Sequence, residues 1–176
     1  MLFTIKRTIS YKDEKVVCLL YKALVRPILE YAQEVWQPHL KQDIVRLEKV
    51  QQRLTKSIPT LKHLSYEERL RKLDLPTLVY RRMRGDMISL YKITHGLMNC
   101  NIPLARNTNN TRGHNYKLYI HGARTNIRKR FFSNRVAIPW NSLSTEVVNA
   151  PTVNSFKTRL DRAWANNPYK FQFDYE

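Results

Sequence analysis

Four basic side chains, Arg46, Lys49, Arg53 and Lys56, recur at steps of three and four residues. At about 100° per residue this spacing gathers them into one stripe of a helix. A stripe of cations suits phosphate binding, because each phosphate neutralised releases condensed counterions. The same sign returns at Arg81, Arg82 and Arg84, with only Asp86 nearby to offset it. It returns again in GARTNIRKRFFSNRVAIPWNSL (Gly122 to Leu143), where Arg124, Arg128, Lys129, Arg130 and Arg135 stand beside Phe131, Phe132 and Trp140 without one acidic residue. Positions 87–145 form an acid-free run of 59 residues that also carries Lys92, Arg106, Arg112 and Lys117. The run reads as a phosphate-binding region; its competing reading is a solubilising surface. The aromatic residues divide. Exposed rings give unpaired bases stacking worth roughly 1–3 kcal/mol each. A helix carrying Phe131, Phe132, Val136 and Trp140 needs a face to bury, however, so these rings are expected in a core. Tyr116 and Tyr119 are the better stacking candidates.

Catalytic constellations are not apparent. Two-metal nucleotidyl transfer needs converging carboxylates, commonly adjacent aspartates on a hairpin, and the chain has no Asp-Asp pair. Asp13/Glu14 and Glu67/Glu68 fall in first turns of expected helices, where they complement the helix dipole. No phosphate-cradling Gly-x-x-x-x-Gly-Lys loop, Gly-x-Ser-x-Gly elbow or His-Glu-x-x-His helix occurs. His95, Cys100, His114 and His121 match no common zinc spacing, so neither metal nor cofactor is expected.

The elements that must hold these residues are mainly helical. Ser10 and Asp13 resemble a capping box, and Val16, Val17, Leu20, Ala23, Leu24, Ile28 and Leu29 follow at helical steps to about Trp36. Pro27 should kink or split that helix. A second helix runs from Gln42 to Ile58, with Ile44, Leu47, Val50, Leu54 and Ile58 on a packing face about 130° from the cationic stripe. Ser65 with Glu68 forms a second capping box, starting a short helix to about Leu73. A longer helix from Thr77 carries Met83, Met87, Leu90 and Ile93, and Gly96 is placed to close it. Asn99 to Asn115 is rich in Asn and Thr and reads as a linker. Tyr116 to Ile120 alternates like a short strand. A helical stretch around Phe131 to Leu143 follows, then a last helix capped by Thr152 or Asn154 that carries Phe156, Leu160 and Trp164. The expectation is a helical bundle over 1–98, a linker over 99–115, and a small basic α region with a short β element over 116–176.

A net charge of +17 argues for a polyanionic partner. Cys18 and Cys100 are widely spaced, which suits free, buried thiols in a reducing compartment. No apolar run approaches the roughly 20 residues of a membrane span, and MLFTIKRTIS lacks a signal peptide's apolar stretch. The expected location is therefore intracellular, nuclear or in a cytoplasmic ribonucleoprotein, without membrane contact. Asn109-Asn110-Thr111 matches a glycosylation sequon by form alone.

Taken together, LLYKALVRPILEYAQEVWQP, DIVRLEKVQQRLTKSI, LSYEERLRKLDLPTLVYRRMRGDMISLYKI, RGHNYKL and RKRFFSNRVAIPWNSL resemble, in order, the C-terminal part of reverse transcriptases of non-LTR, LINE-type retrotransposons. The resemblance is greatest to the jockey-like and chicken-repeat lineages. It implies a helical thumb that tracks template–primer duplex, which suits the Arg46–Lys56 stripe, and a basic C-terminal region that holds RNA. The family's catalytic aspartates belong to a palm, and its nuclease to an N-terminal domain; neither is expected in this sequence. Nor is the Cys/His knuckle of some lineages, so the expectation is a non-catalytic binder of RNA or RNA–DNA duplex. A subunit completing a separately encoded palm and fingers, and a decayed copy, stand as alternatives.

Overall fold

Helices account for nearly all the regular structure, and each begins or ends for a local reason. The computed structural model describes Arg7 and residues 13–100, 102–107 and 113–174. Ser10 of the first expected capping box lies outside them, as do the sequon and Arg112. Asp13 caps α1 (Glu14–Leu20) by accepting from the backbone of Lys15 and Val16. A π-helical turn, Tyr21–Val25, then leads into α2 (Arg26–Glu30), with Pro27 in its first turn. Pro27 supplies no N–H, and the wider turn before it absorbs the break. α3 (Gln33–Trp36) follows a bend in which Ala32 has φ 49°.

α4 (Lys41–Lys56) ends before the 3-10 turn that Pro59 opens, Pro59–Leu61. α5 (Tyr66–Leu73) starts on the full capping box: Glu68 N–H donates to Ser65 Oγ at 3.3 Å, and Ser65 N–H donates to Glu68 Oε2 at 2.7 Å. α6 (Leu78–Thr94) closes at Gly96, whose φ of +70° lets Leu97 N–H turn back to the Lys92 carbonyl. Five shorter helices follow: α7 (Asn126–Lys129), α8 (Phe132–Arg135), α9 (Ala137–Asn141), α10 (Thr145–Val148) and α11 (Val153–Ala163). Thr152 caps α11.

The described residues group into two compact units. One takes those within Met1–Gln33, Leu40–Arg82 and Pro168–Glu176; the other takes Glu34–His39 and those within Met83–Asn167. The first is centred on Val17, Tyr21, Leu54, Ile58, Leu61 and Leu70, the second on Leu90, Tyr91, Trp140, Val148, Phe156 and Leu160. These units differ from the 1–98, 99–115 and 116–176 division suggested by composition. Thr77 holds the C-terminal turn in the first unit, through Thr77 N–H to the Lys170 carbonyl at 2.9 Å and Thr77 Oγ1–H to the Tyr169 carbonyl at 2.6 Å. Meanwhile Met87, Leu90 and Tyr91 of α6 are buried among the side chains of the second core.

The expected strand at Tyr116–Ile120 is reduced to a single bridge between Arg106 and Leu118. One edge pairs with the segment around Arg106, through Tyr119 N–H to the Ala105 carbonyl and Asn107 N–H to the Lys117 carbonyl, both at 2.8 Å. On the other edge Leu118 N–H donates to Asn141 Oδ1 at 2.9 Å and Asn141 Nδ2 donates to the Leu118 carbonyl at 2.8 Å, so a side-chain amide satisfies the backbone that a further strand would have paired. Both cysteines are free and half-buried, less enclosed than expected.

Candidate nucleic-acid interface

In the first unit α4 is rolled further than its apolar residues indicate. Ile44, Leu54 and Ile58 are buried, but Leu47 and Val50 are only half-buried, while Glu48, Gln51 and Thr55 are enclosed. Counting those three polar residues and leaving out Leu47 and Val50 moves the centre of the buried arc by about 50°, which sets the cationic stripe nearly opposite it. Arg46, Lys49, Arg53 and Lys56 are accordingly all exposed. Arg46 reaches Asp43 at 3.3 Å in an open pair that solvent screens. Lys49, Arg53 and Lys56 have no carboxylate within 4.0 Å among the described residues.

The enclosed polar residues form a network that fixes this roll. Tyr21 donates to Gln51 Oε1. Gln51 Nε2 donates to the Tyr66 hydroxyl and to the Pro76 carbonyl, both at 3.1 Å. Tyr66 donates to Glu48 at 2.6 Å, and the Glu48 carboxylate accepts the Leu78 N–H at the start of α6. Burial pushes the Glu48 carboxyl up to about 7, against the opposing pull of the Tyr66 hydrogen bond and the Arg82 charge.

The arginines of α6 take other roles. Arg82 is 2% exposed, on the inward face that also carries Leu78 and Asp86, so it is not available as a phosphate contact. Arg81 pairs with Glu30, its Nη2 2.8 Å from Oε2. Arg84 makes a two-pronged pair with Asp161 at 2.6 and 2.8 Å. All three were candidate phosphate ligands, and their charges are committed inside the protein.

Arg135 of the second unit is committed more completely. Its Nε and Nη2 donate to Asp86 at 2.8 and 3.0 Å, Nη2 also to the Glu34 carbonyl at 3.0 Å, and Nη1 to the Arg130 carbonyl at 3.0 Å. Its guanidinium lies over the Phe132 ring at 5.3 Å. It is a structural tie. By contrast Arg124, Arg128, Lys129 and Arg130 are exposed and, among the described residues, have no carboxylate within 4.0 Å.

The aromatic residues are partly reassigned. Phe132 and Trp140 are core, as their spacing suggests, but Phe131 is 56% exposed. It lines a groove of about 580 Å³ with Trp36, Ile127 and Arg130. Tyr116 is stacked on His95 at 4.5 Å, and the Arg106 guanidinium lies 5.6 Å from the same ring, which leaves little of it for a base. Tyr119 stays exposed, with His121 edge-on at 4.9 Å. The helix that places Phe132 inward breaks at Val136 into α8 and α9. That break was not legible from the apolar spacing.

Sequence reasoning missed Arg69 of α5 altogether. It is 6% exposed, yet it lines a cavity of about 380 Å³ together with Lys49, Gln52, Arg53, Lys56 and Tyr66. A single Arg inside a capping-box helix carries no sequence signal that separates it from the solvated Arg71 two residues on, which pairs with Glu67. No group of three or more His, Cys, Asp and Glu side chains among the described residues is arranged to hold a metal ion, and no described helix is long and apolar enough to cross a membrane. Comparison of the chain with protein-family models, curated proteins and solved structures gave no match.

Proposed function

We propose that this chain is a non-catalytic nucleic-acid-binding module that grips sugar–phosphate backbone with little base specificity, and that it corresponds to the thumb and basic C-terminal region of a LINE-type reverse transcriptase. The observation that carries the binding reading is the set of exposed cations without carboxylate partners among the described residues: Lys49, Arg53 and Lys56 on α4, and Arg124, Arg128, Lys129 and Arg130 around α7. Arg46 joins the first set, because its open pair with Asp43 exchanges readily for a phosphate. Arg46 to Lys56 spans about 15 Å along the helix axis. One strand of B-DNA places about four phosphates in that length at 3.4 Å each, so the charge spacing of α4 suits a backbone rather than a single small anion.

The RNA-directed polymerase resemblance supports this reading through the quoted sequence blocks alone. The non-catalytic part draws support from the carboxylates: Glu30, Asp86 and Asp161 neutralise arginines, Asp13 and Glu68 cap helices, and Glu48 is buried in the α4 network. RNA or RNA–DNA duplex is the proposed partner, joined by the palm and fingers of a polymerase.

Binding of a short RNA across a salt series tests the reading. Log affinity falls linearly with log salt, by about 0.7 for each single-strand phosphate neutralised. A flat response rejects it.

A further inference from the structure

We infer that the groove between α4 and α5 is a built phosphodiester site, anchored by Arg69 at its floor and surrounded by Lys49, Arg53 and Lys56. The inference rests on the nucleic-acid reading above and adds to it a fixed point of attachment, in a place the cationic stripe alone does not specify.

Arg69 is the unusual group. Its guanidinium is oriented by two hydrogen bonds, Nε–H to Thr55 Oγ1 at 3.1 Å and Nη1–H to the Leu64 carbonyl at 2.6 Å, and lies 5.6 Å from the centre of the Tyr66 ring. A guanidinium has five N–H donors. Two are used; Nη2 makes no hydrogen bond among the described residues, and Arg69 lines the cavity. No carboxylate oxygen of the described residues lies within 4.0 Å of it. A charge this enclosed is ordinarily paired. The other arginines buried to a comparable degree behave that way: Arg135 is held by Asp86, and Arg82 lies close enough to Glu48 for its charge to favour the ionised carboxyl.

The surroundings specify the missing partner. The cavity walls carry three more cations and no acid, and its polar neutral groups are the Gln52 amide and Tyr66. The Tyr66 hydroxyl is already spent on Glu48, whose carboxyl lies beyond it in the buried network. A planar guanidinium held at Nε and Nη1 keeps its remaining Nη2 hydrogens in fixed directions, as charge-assisted donors of the kind that suit phosphate oxygens. One small monovalent anion would leave most of the local positive charge uncompensated. A strand whose neighbouring phosphates run past Lys49, Arg53 and Lys56 compensates all of it. Desolvation also lowers the pKa of the Arg69 guanidinium, in keeping with a charge that lacks its partner.

Arg69 and the stripe are separable, because Lys in place of Arg keeps the charge and loses the fixed planar donors. The deciding experiment follows the Arg69 side-chain Nε–H resonance of the full chain by NMR, at constant ionic strength, during titration with inorganic phosphate and with a single-stranded oligo(U) lacking terminal phosphates. Both probes are expected to shift it saturably, the oligonucleotide at far lower concentration, while chloride does not. A shift with inorganic phosphate alone means that a free anion and not a phosphodiester strand is the ligand, which overturns the inference as stated. Oligonucleotide binding that leaves the Arg69 resonance unmoved overturns it too, while the wider nucleic-acid reading survives. If the oligonucleotide does not bind at all, both fall. Arg69→Lys is expected to weaken oligonucleotide binding about tenfold with an unchanged salt slope, and Lys49→Gln with Arg53→Gln to reduce the slope instead. An Arg69→Lys chain that folds and binds as tightly as the parent contradicts the anchoring role; should that variant not fold, the resonance titration of the parent chain still decides.

Discussion

α4 and the acid-free run 87–145 carry positive charge in opposite circumstances. α4 has acids close along the chain, Asp43 and Glu48, yet Lys49, Arg53 and Lys56 on its cationic face have no carboxylate partner among the described residues, because Glu48 is turned into the core and Asp43 engages Arg46 alone. The 87–145 run has no acid for 59 residues, yet Arg135 within it is fully neutralised by Asp86, the residue immediately before the run. Arg84, just outside the run, is likewise paired with Asp161, beyond its other end. Charge balance along a sequence and charge balance in space are therefore different quantities. What decides availability is which face a residue occupies and what packs opposite it.

The comparison is broken most severely by removing Arg135. Its side chain is 10% exposed and that of Asp86 5%, so Arg135→Ala takes a guanidinium away from a buried carboxylate and removes the donor it gives to the Glu34 and Arg130 carbonyls. A loss of about 3–5 kcal/mol is expected. Urea denaturation of this variant beside Arg130→Ala checks it, since Arg130, exposed and without a carboxylate partner among the described residues, should change stability by under about 0.5 kcal/mol.

The next largest effect is the pH response of Glu48. Its carboxyl is raised from 4.5 to about 7 in the folded chain, so the folded state holds this proton over a range in which the unfolded state has released it. The stability contributed by this group is greatest below about 4.5 and is lost as pH rises toward 7. The loss is roughly 3 kcal/mol at 1.36 kcal/mol per pH unit. Glu48→Gln, which mimics the protonated form, is expected to be more stable than the parent at pH 8 and to flatten the profile between pH 5 and 7. A profile as steep as the parent's shows that some other group is titrating.

Much of the fold was legible because its signals are local. The Ser65 capping box, the break around Pro27, the Gly96 closure and the Thr152 cap each depend on a few adjacent residues, and each appears in the structure. What depends on packing was not. Gln51 and Thr55 look like ordinary polar positions until Tyr21, Tyr66 and Arg69 are brought to them. Tyr116 looks like an open stacking platform until His95 covers it. Phe131 and Phe132 are adjacent and chemically identical, yet the start of α8 turns only the second inward. In the candidate site, the α4 stripe was readable from spacing, whereas the commitment of Arg81, Arg82, Arg84 and Arg135 depends on partners far away in sequence.

A smaller effect than these two sharpens the same contrast. Arg84 and Asp161 form a well-aligned pair, but the aspartate side chain is 47% exposed, so Asp161→Asn is expected to cost at most about 1 kcal/mol. That variant also removes the Asp161 carboxylate from the Arg84 guanidinium. A small gain in RNA affinity at low salt should accompany the loss, measured by the same binding assay.

The most direct measurement is the salt slope of RNA binding in two variants that each remove arginine or lysine charge. Replacing Lys49, Arg53 and Lys56 together by Gln should reduce the slope by about 2, at about 0.7 per lost contact, with melting temperature nearly unchanged. Arg84→Gln, whose charge is already spent on Asp161, should leave the slope as it is. Equal reductions per residue removed, or no reduction in the α4 variant, would contradict the account.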